Sequence, residues 1–203
     1  SAQYAKEGGL KGLKLYAMVG LPTENDSDIK ATIDLLLRIQ RRTSGLRLTL
    51  GVSTFVPKAH TPFQWNGVRP EAKKRLKLLA KNLRPKGIQL RPESYNSSVI
   101  QALLSRSDRR IAPVIALVRG SQNNLGSWKQ AYQTIQEQKM IEPSDPTISS
   151  EKLPEWQEVI HQTWDNSQVL PWEHLEGPLS KEVLIQHQQQ SLTGDSSLHQ
   201  VKE

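Results

Sequence analysis

Residues 12–24, GLKLYAMVGLPTE, decide how this chain folds. An apolar run from Leu13 to Val19 stops at Gly20, and Leu21, Pro22, Thr23 and Glu24 follow. The run is short, bounded by glycines, and carries a Val and a Tyr, so it predicts a buried strand. Gly20 tolerates positive φ and Pro22 locks its own φ, so a sharp turn follows. Asn25-Asp26-Ser27-Asp28 then supplies capping residues and first-turn acids for a helix. Strand, glycine turn and capped helix make one βα unit. Ligands in α/β folds gather at the carboxyl ends of strands, which makes this turn the first candidate site.

The alternation continues downstream. Ile29, Ile33, Leu36 and Leu37 form a helical stripe, and the spacing predicts a helix over 27–42. Residues 46–54, LRLTLGVST, predict a second strand. Residues 55–63, FVPKAHTPF, follow as a loop that Pro57 and Pro62 hold extended. Pro70 opens another helix, with Ala72, Leu76, Leu79 and Leu83 as its buried stripe. Ile88 to Arg91 predicts a third strand, ended by Pro92. Such β-α-β-α-β order implies parallel strands joined by crossover helices.

From Tyr95 the pattern turns mostly helical, with helices expected over 97–105, 109–119, 127–139, 154–164 and 180–190. A loop rich in Pro, Ser and Asp spans 142–154. The expected organisation is an α/β region over 1–92, a helical extension over 93–190 and a disordered tail over 191–203. Three strands alone leave a sheet edge exposed. The first residue is Ser1 rather than Met, so the chain is expected to be one part of a larger protein.

Composition excludes several chemistries. None of the 203 residues is a cysteine. Disulfides, thiolate metal sites, cysteine nucleophiles and a cysteine-ligated iron–sulfur cluster are therefore excluded within this chain. No run of eighteen apolar residues predicts a membrane span, and no charged-then-apolar leader opens the sequence. A cytoplasmic location without membrane contact is the expectation.

The net charge of +7 conceals a swing along the chain. Residues 1–136 carry 23 Lys and Arg against 8 Asp and Glu, whereas residues 137–203 carry 4 against 12. Nine of the cations fall within 69–91, against the single acid Glu71. That stretch suits a solvated helix face, or a nucleic-acid-binding module that neutralises phosphates. It lacks the interleaved aromatic residues that favour the second reading.

Four further features have a functional and a structural reading each. Gly20, Leu21, Pro22 and Glu24 suit backbone contacts to a small ligand, with Glu24 accepting hydrogen bonds, or an ordinary βα turn with a dipole-favoured acid. Phe55, Val56 and Pro57 suit a wall for a flat apolar group such as adenine, or a loop packed beneath its neighbours. Arg106, Asp108, Arg109 and Arg110 form a charged knot, read first as an Arg–Asp network and second as an anion site. Trp128, Trp156, Trp164 and Trp172 suit anchors that pin helices of a polar region onto the main body, or a binding cage, and the first reading is preferred. His60 has no second ligand at metal spacing and is expected to be solvated.

These residues carry a resemblance. LKLYAMVGLPTEND before an amphipathic helix, then VSTFVPKAHTPFQW, resembles the C-terminal half of radical S-adenosylmethionine enzymes. The bacterial group with a preceding cobalamin-binding-type domain is most similar, and SRSDRR, SWKQAY and LPWEHLEGPLSKEVL are similar to that group as well. The resemblance implies the C-terminal portion of a partial (β/α)6 TIM-like barrel followed by a mostly helical extension. It also implies S-adenosylmethionine and a [4Fe–4S] cluster at the strand ends, the cluster being held by a CxxxCxxC loop that this sequence lacks. Gly20, Leu21, Pro22 and Glu24 would lie against the adenosine portion, and Phe55, Val56 and Pro57 against the adenine. Cobalamin is compatible with the resemblance. The implied partners are the N-terminal half of such an enzyme and a substrate, RNA or protein. This chain alone is expected to be inactive, and a scaffold remnant without catalysis is the remaining alternative.

Overall fold

A computed structural model describes residues 1–137 and 152–194. The described chain divides into two compact units, one of residues 1–55 with 69–95, the other of 56–68 with residues from 96 onward.

The first unit begins with a short helix, α1 (Ala2–Glu7), that buries none of its residues. Strand β1 (Gly12–Val19) follows, and its alternate residues are half-buried up to a fully buried Val19. Helix α2 (Asp26–Arg42) starts at a capping box. The Asn25 side chain accepts from Ser27 N–H at 2.7 Å, and Asp28 accepts from Asn25 N–H at 2.8 Å. These two bonds satisfy donors that the first turn leaves orphaned. Strand β2 (Arg47–Thr54) buries Leu48, Leu50, Val52 and Thr54 on one side. Helix α3 (Glu71–Leu83), a 3-10 turn at Arg84–Lys86 and strand β3 (Gln89–Pro92) complete the unit. Gly87 ends the turn at φ 80, a left-handed conformation that costs glycine nothing.

The three strands are all parallel, in the order β1-β2-β3. Leu48, Leu50 and Val52 pack against Ile29, Ile33 and Leu36 of α2 and Ala72, Leu76, Leu79 and Leu83 of α3. The helical period of those apolar residues therefore lays both crossover helices onto the sheet. The α/β expectation holds, but the partial barrel does not. Closing a barrel requires strand tilt and a continuous ring of pairing. Among the described residues β1 and β3 each pair only with β2, so the sheet they form is open and has two edges.

The second unit is mostly helical. It contains α4 (Tyr95–Arg106, from Asn96 onward), a 3-10 turn at Arg109–Ile111, α5 (Ala112–Val118), α6 (Leu125–Glu137), α7 (Trp156–Ile160) and α8 (Lys181–Thr193). Trp65, Trp164, Leu170, Trp172 and Leu184 form one of its apolar clusters. Two backbone bonds, Val68 N–H to Ile160 O and Trp164 N–H to Trp65 O, both 2.8 Å, stitch segment 65–68 to segment 160–164. No side chain fits at Gly67, where a Cβ would collide with the backbone carbonyl of His161.

Helix α8 runs to Thr193, three residues into the stretch expected to be a tail, and Gly194 caps it at φ 70. The rest of that stretch, 195–203, lies outside the described residues, as does 138–151 with most of the expected Pro-rich loop. No helix among the described residues is long and apolar enough to cross a membrane.

Candidate functional site

The carboxyl ends of β1 and β2 are level. Val19 is the register partner of Thr54, and Phe55 N–H donates to Val19 O at 2.8 Å. The turn after β1 therefore starts beside the residue that leaves β2. Gly20 is buried at φ 85, and a side chain there would put its Cβ 2.9 Å from Ala72 Cβ. Glycine is required twice over, by backbone conformation and by close packing.

The turn is held from within. Gly20 N–H donates to Glu24 Oε2 at 2.6 Å, and Arg75 Nη1 donates to the same oxygen at 2.6 Å. Arg75 Nη2 reaches Glu24 O at 2.8 Å. The Arg75 and Glu24 side chains are only 4% and 8% exposed, so this ion pair is buried. Arg69 Nη1 donates to Leu21 O, Pro22 O and Glu24 O at 3.2, 2.8 and 3.1 Å. Two guanidinium groups thus clamp one five-residue turn, using the fork geometry that suits arginine to carboxylates and carbonyls.

The strand-end residues singled out from the sequence each have a place. Leu21 and Pro22 are half-buried on the turn, and Thr23 is exposed. Glu24 Oε2 is engaged by Gly20 and Arg75, so its first role is to shape the turn rather than to reach outward. Phe55 is buried in the first unit at the exit of β2. Val56 and Pro57 are buried too and belong to the second unit. The hydroxyl of Thr54 is buried at the strand end with no hydrogen-bond partner among the described residues.

Arg69 and Arg75 were not expected at the site. Nine cations in 69–91 read as one basic face, yet Arg75 is buried while Lys73, Lys74, Lys77 and Lys81 are exposed. The signal was present: Arg75 sits three residues after Ala72 and four before Leu79, on the apolar stripe of α3. An arginine in that register implies an acid beneath it.

In the second unit, the knot is an Arg–Asp network, as its first reading had it. Arg110 Nε and Nη2 donate to Asp108 at 2.7–3.0 Å. Burial alone would raise the Asp108 carboxyl, but the bonds and charge of Arg110 outweigh it and hold it below the usual range. Arg106 stands apart, with its guanidinium over the Trp164 ring. His60 is half-buried at φ 57, and its N–H donates to Gln64 Oε1 at 2.9 Å. It is therefore less solvated than expected, because Gly177 packs against its ring. Among the described residues, no group of three or more His, Cys, Asp or Glu could hold a metal ion.

Comparison with known proteins gives a relative over part of the chain. The chain is 34% identical over 108 residues to MJ0966, an uncharacterized protein of Methanocaldococcus jannaschii. The match covers 53% of this chain and 24% of that protein, so it spans about a quarter of the relative's length. No family model and no solved structure matches the chain.

Proposed function

We propose that this chain is part of a radical S-adenosylmethionine enzyme that cleaves S-adenosylmethionine reductively and modifies a further substrate, an RNA or a protein. The observation that carries the reading is the level pair of strand ends, where the clamped Gly20–Glu24 turn starts beside Phe55. The sequence resemblance of the two motifs supports it. Leu21 and Pro22 offer apolar surface to the adenosine portion, and Phe55 lies at the neighbouring strand end. Arg75 and Arg69 keep the turn in the shape that presents them.

The [4Fe–4S] cluster does not fit this chain. It has no cysteine, and its described residues offer no alternative metal-holding group. In this reading the cluster cysteines belong to the remainder of the enzyme, the whole protein is cytoplasmic, and cobalamin is compatible with it. The test is anaerobic expression of the complete reading frame, cluster reconstitution and detection of 5′-deoxyadenosine by mass spectrometry. Product supports the reading; a cluster-loaded full-length protein that forms none refutes it.

A second reading rests on the exposure of Lys73, Lys74, Lys77 and Lys81 on α3. A nucleic-acid-binding face there predicts affinity that falls steeply with salt and is lost on charge reversal at Lys73, Lys74 and Lys77. Undetectable binding of RNA and DNA at low salt removes it.

A further inference from the structure

Arg106, the last residue of α4, is 1% exposed. Its guanidinium lies 3.7 Å from the ring centroid of Trp164 and donates to three backbone carbonyls. Those acceptors are Ile160 O at 3.2 Å, Trp65 O at 3.4 Å and Gln162 O at 2.9 Å. No carboxylate pairs with it among the described residues. Its Nε is buried and has no hydrogen-bond partner among them. A second buried donor, Trp65 Nε1, is orphaned in the adjoining tryptophan cluster. A buried cation usually has an anion, and a buried N–H usually has an acceptor. Both are missing here, and both absences have the same sign.

A cavity of about 230 Å³ adjoins this arginine. Arg106, Ser107 and Gln168 give it a polar side, and Trp164, Val159 and Leu170 an apolar one. Asp108 also lines it, but its charge is matched by Arg110. Glu158 is the other acid on the wall. The space suits one small molecule with an apolar body, not a polymer.

We propose that this cavity binds a small organic anion, a carboxylate or a phosphate, with the anionic group drawn to Arg106 and the apolar end against Val159 and Leu170. The cation–carbonyl–tryptophan setting holds the charge in place before the ligand arrives. Burial lowers the Arg106 guanidinium to about 10, still charged at neutral pH, so the attraction is present throughout the physiological range. The low dielectric around it strengthens the pairing relative to a surface arginine. This site is independent of the strand-end reading, since every residue in it belongs to the second unit.

The full 203-residue chain is small enough for arginine Nε–Hε NMR. It would be titrated at constant ionic strength with isovalerate, with inorganic phosphate, and with neutral isovaleramide. Arg106→Lys assigns the resonance. A saturable shift of the Arg106 signal with either anion and none with the amide supports the site, and the anion that acts gives the source. No saturable shift, or an equal shift with the amide, overturns it. Arg106→Lys risks unfolding, so Gln168→Trp at an exposed wall position provides an independent check. It should weaken anion binding about tenfold while leaving the backbone amide spectrum that of a folded chain. Unchanged affinity in that folded variant also overturns the proposal.

Discussion

Replacing Arg75 with Met should loosen the first unit by about 3–5 kcal/mol. The magnitude comes from what the variant strands. Glu24, 8% exposed, keeps its bond to Gly20 N–H but loses the cation 2.6 Å away. Glu24 O also loses its 2.8 Å donor. The third contact, Arg75 Nε to Asp26 at 3.5 Å, involves a carboxylate 56% exposed and contributes little. The dominant cost is therefore an uncompensated buried charge, not lost Coulomb attraction. Two comparisons isolate that cause. Arg75→Lys keeps a charge but cannot reproduce the fork, and should fall between wild type and Met. Adding Glu24→Gln to Arg75→Met removes the stranded charge and should recover part of the loss. All five tryptophans lie in the second unit, so tryptophan fluorescence is blind to this region. Hydrogen exchange of peptides covering Gly12–Val19 and Arg47–Thr54 is the suitable assay. Each 1.4 kcal/mol is tenfold, so their opening should rise by about two to three and a half orders of magnitude. A change below tenfold, or a double variant less stable than Arg75→Met alone, would refute the buried-pair reasoning.

Other outcomes follow from the same structure. Gly20→Ala forces a side chain into φ 85 and against Ala72, and should cost about 2 kcal/mol or more in the same exchange assay. Gly67→Ala collides with the His161 carbonyl and should disrupt the bonds between segments 65–68 and 160–164, read as a red-shifted tryptophan emission. Tyr132 donates to Pro154 O at 2.7 Å, so Tyr132→Phe should cost about 1–2 kcal/mol by chemical denaturation. Burial also pushes the Tyr132 hydroxyl up to about 12, so its contribution is complete below the unfolded value of about 10 and fades as pH rises towards 12. Asp108 behaves oppositely. Its depressed carboxyl adds stability above the unfolded value of about 4 and loses it as pH falls below that, and Asp108→Asn should flatten this acid limb of the denaturation profile.

Much of the first unit was legible because its signals are local. The apolar run ending at Gly20, the capping residues at 25–28 and the stripe of α3 each fix an element within one or two residues. Sheet closure was not legible in the same way. It depends on which strands pair at the edges, and the family pattern supplied a barrel where the three strands form an open sheet. The strand-end candidates were legible as positions but not as chemistry. Glu24 reads as an outward acid until Arg75, 51 residues later, is seen to take its oxygen. The knot was legible as an Asp108–Arg110 pair because the partners are two residues apart. The isolation of Arg106 was not, since it depends on carbonyls contributed from residues 65, 160 and 162.

The central claim is that the strand-end turn meets the nucleoside of S-adenosylmethionine. Hydrogen exchange of the cluster-loaded, full-length protein with and without that cofactor reads it directly. Slower exchange in both segment 20–24 and segment 53–55 is the expected footprint. Saturating cofactor that leaves both segments exchanging at their ligand-free rates contradicts the account.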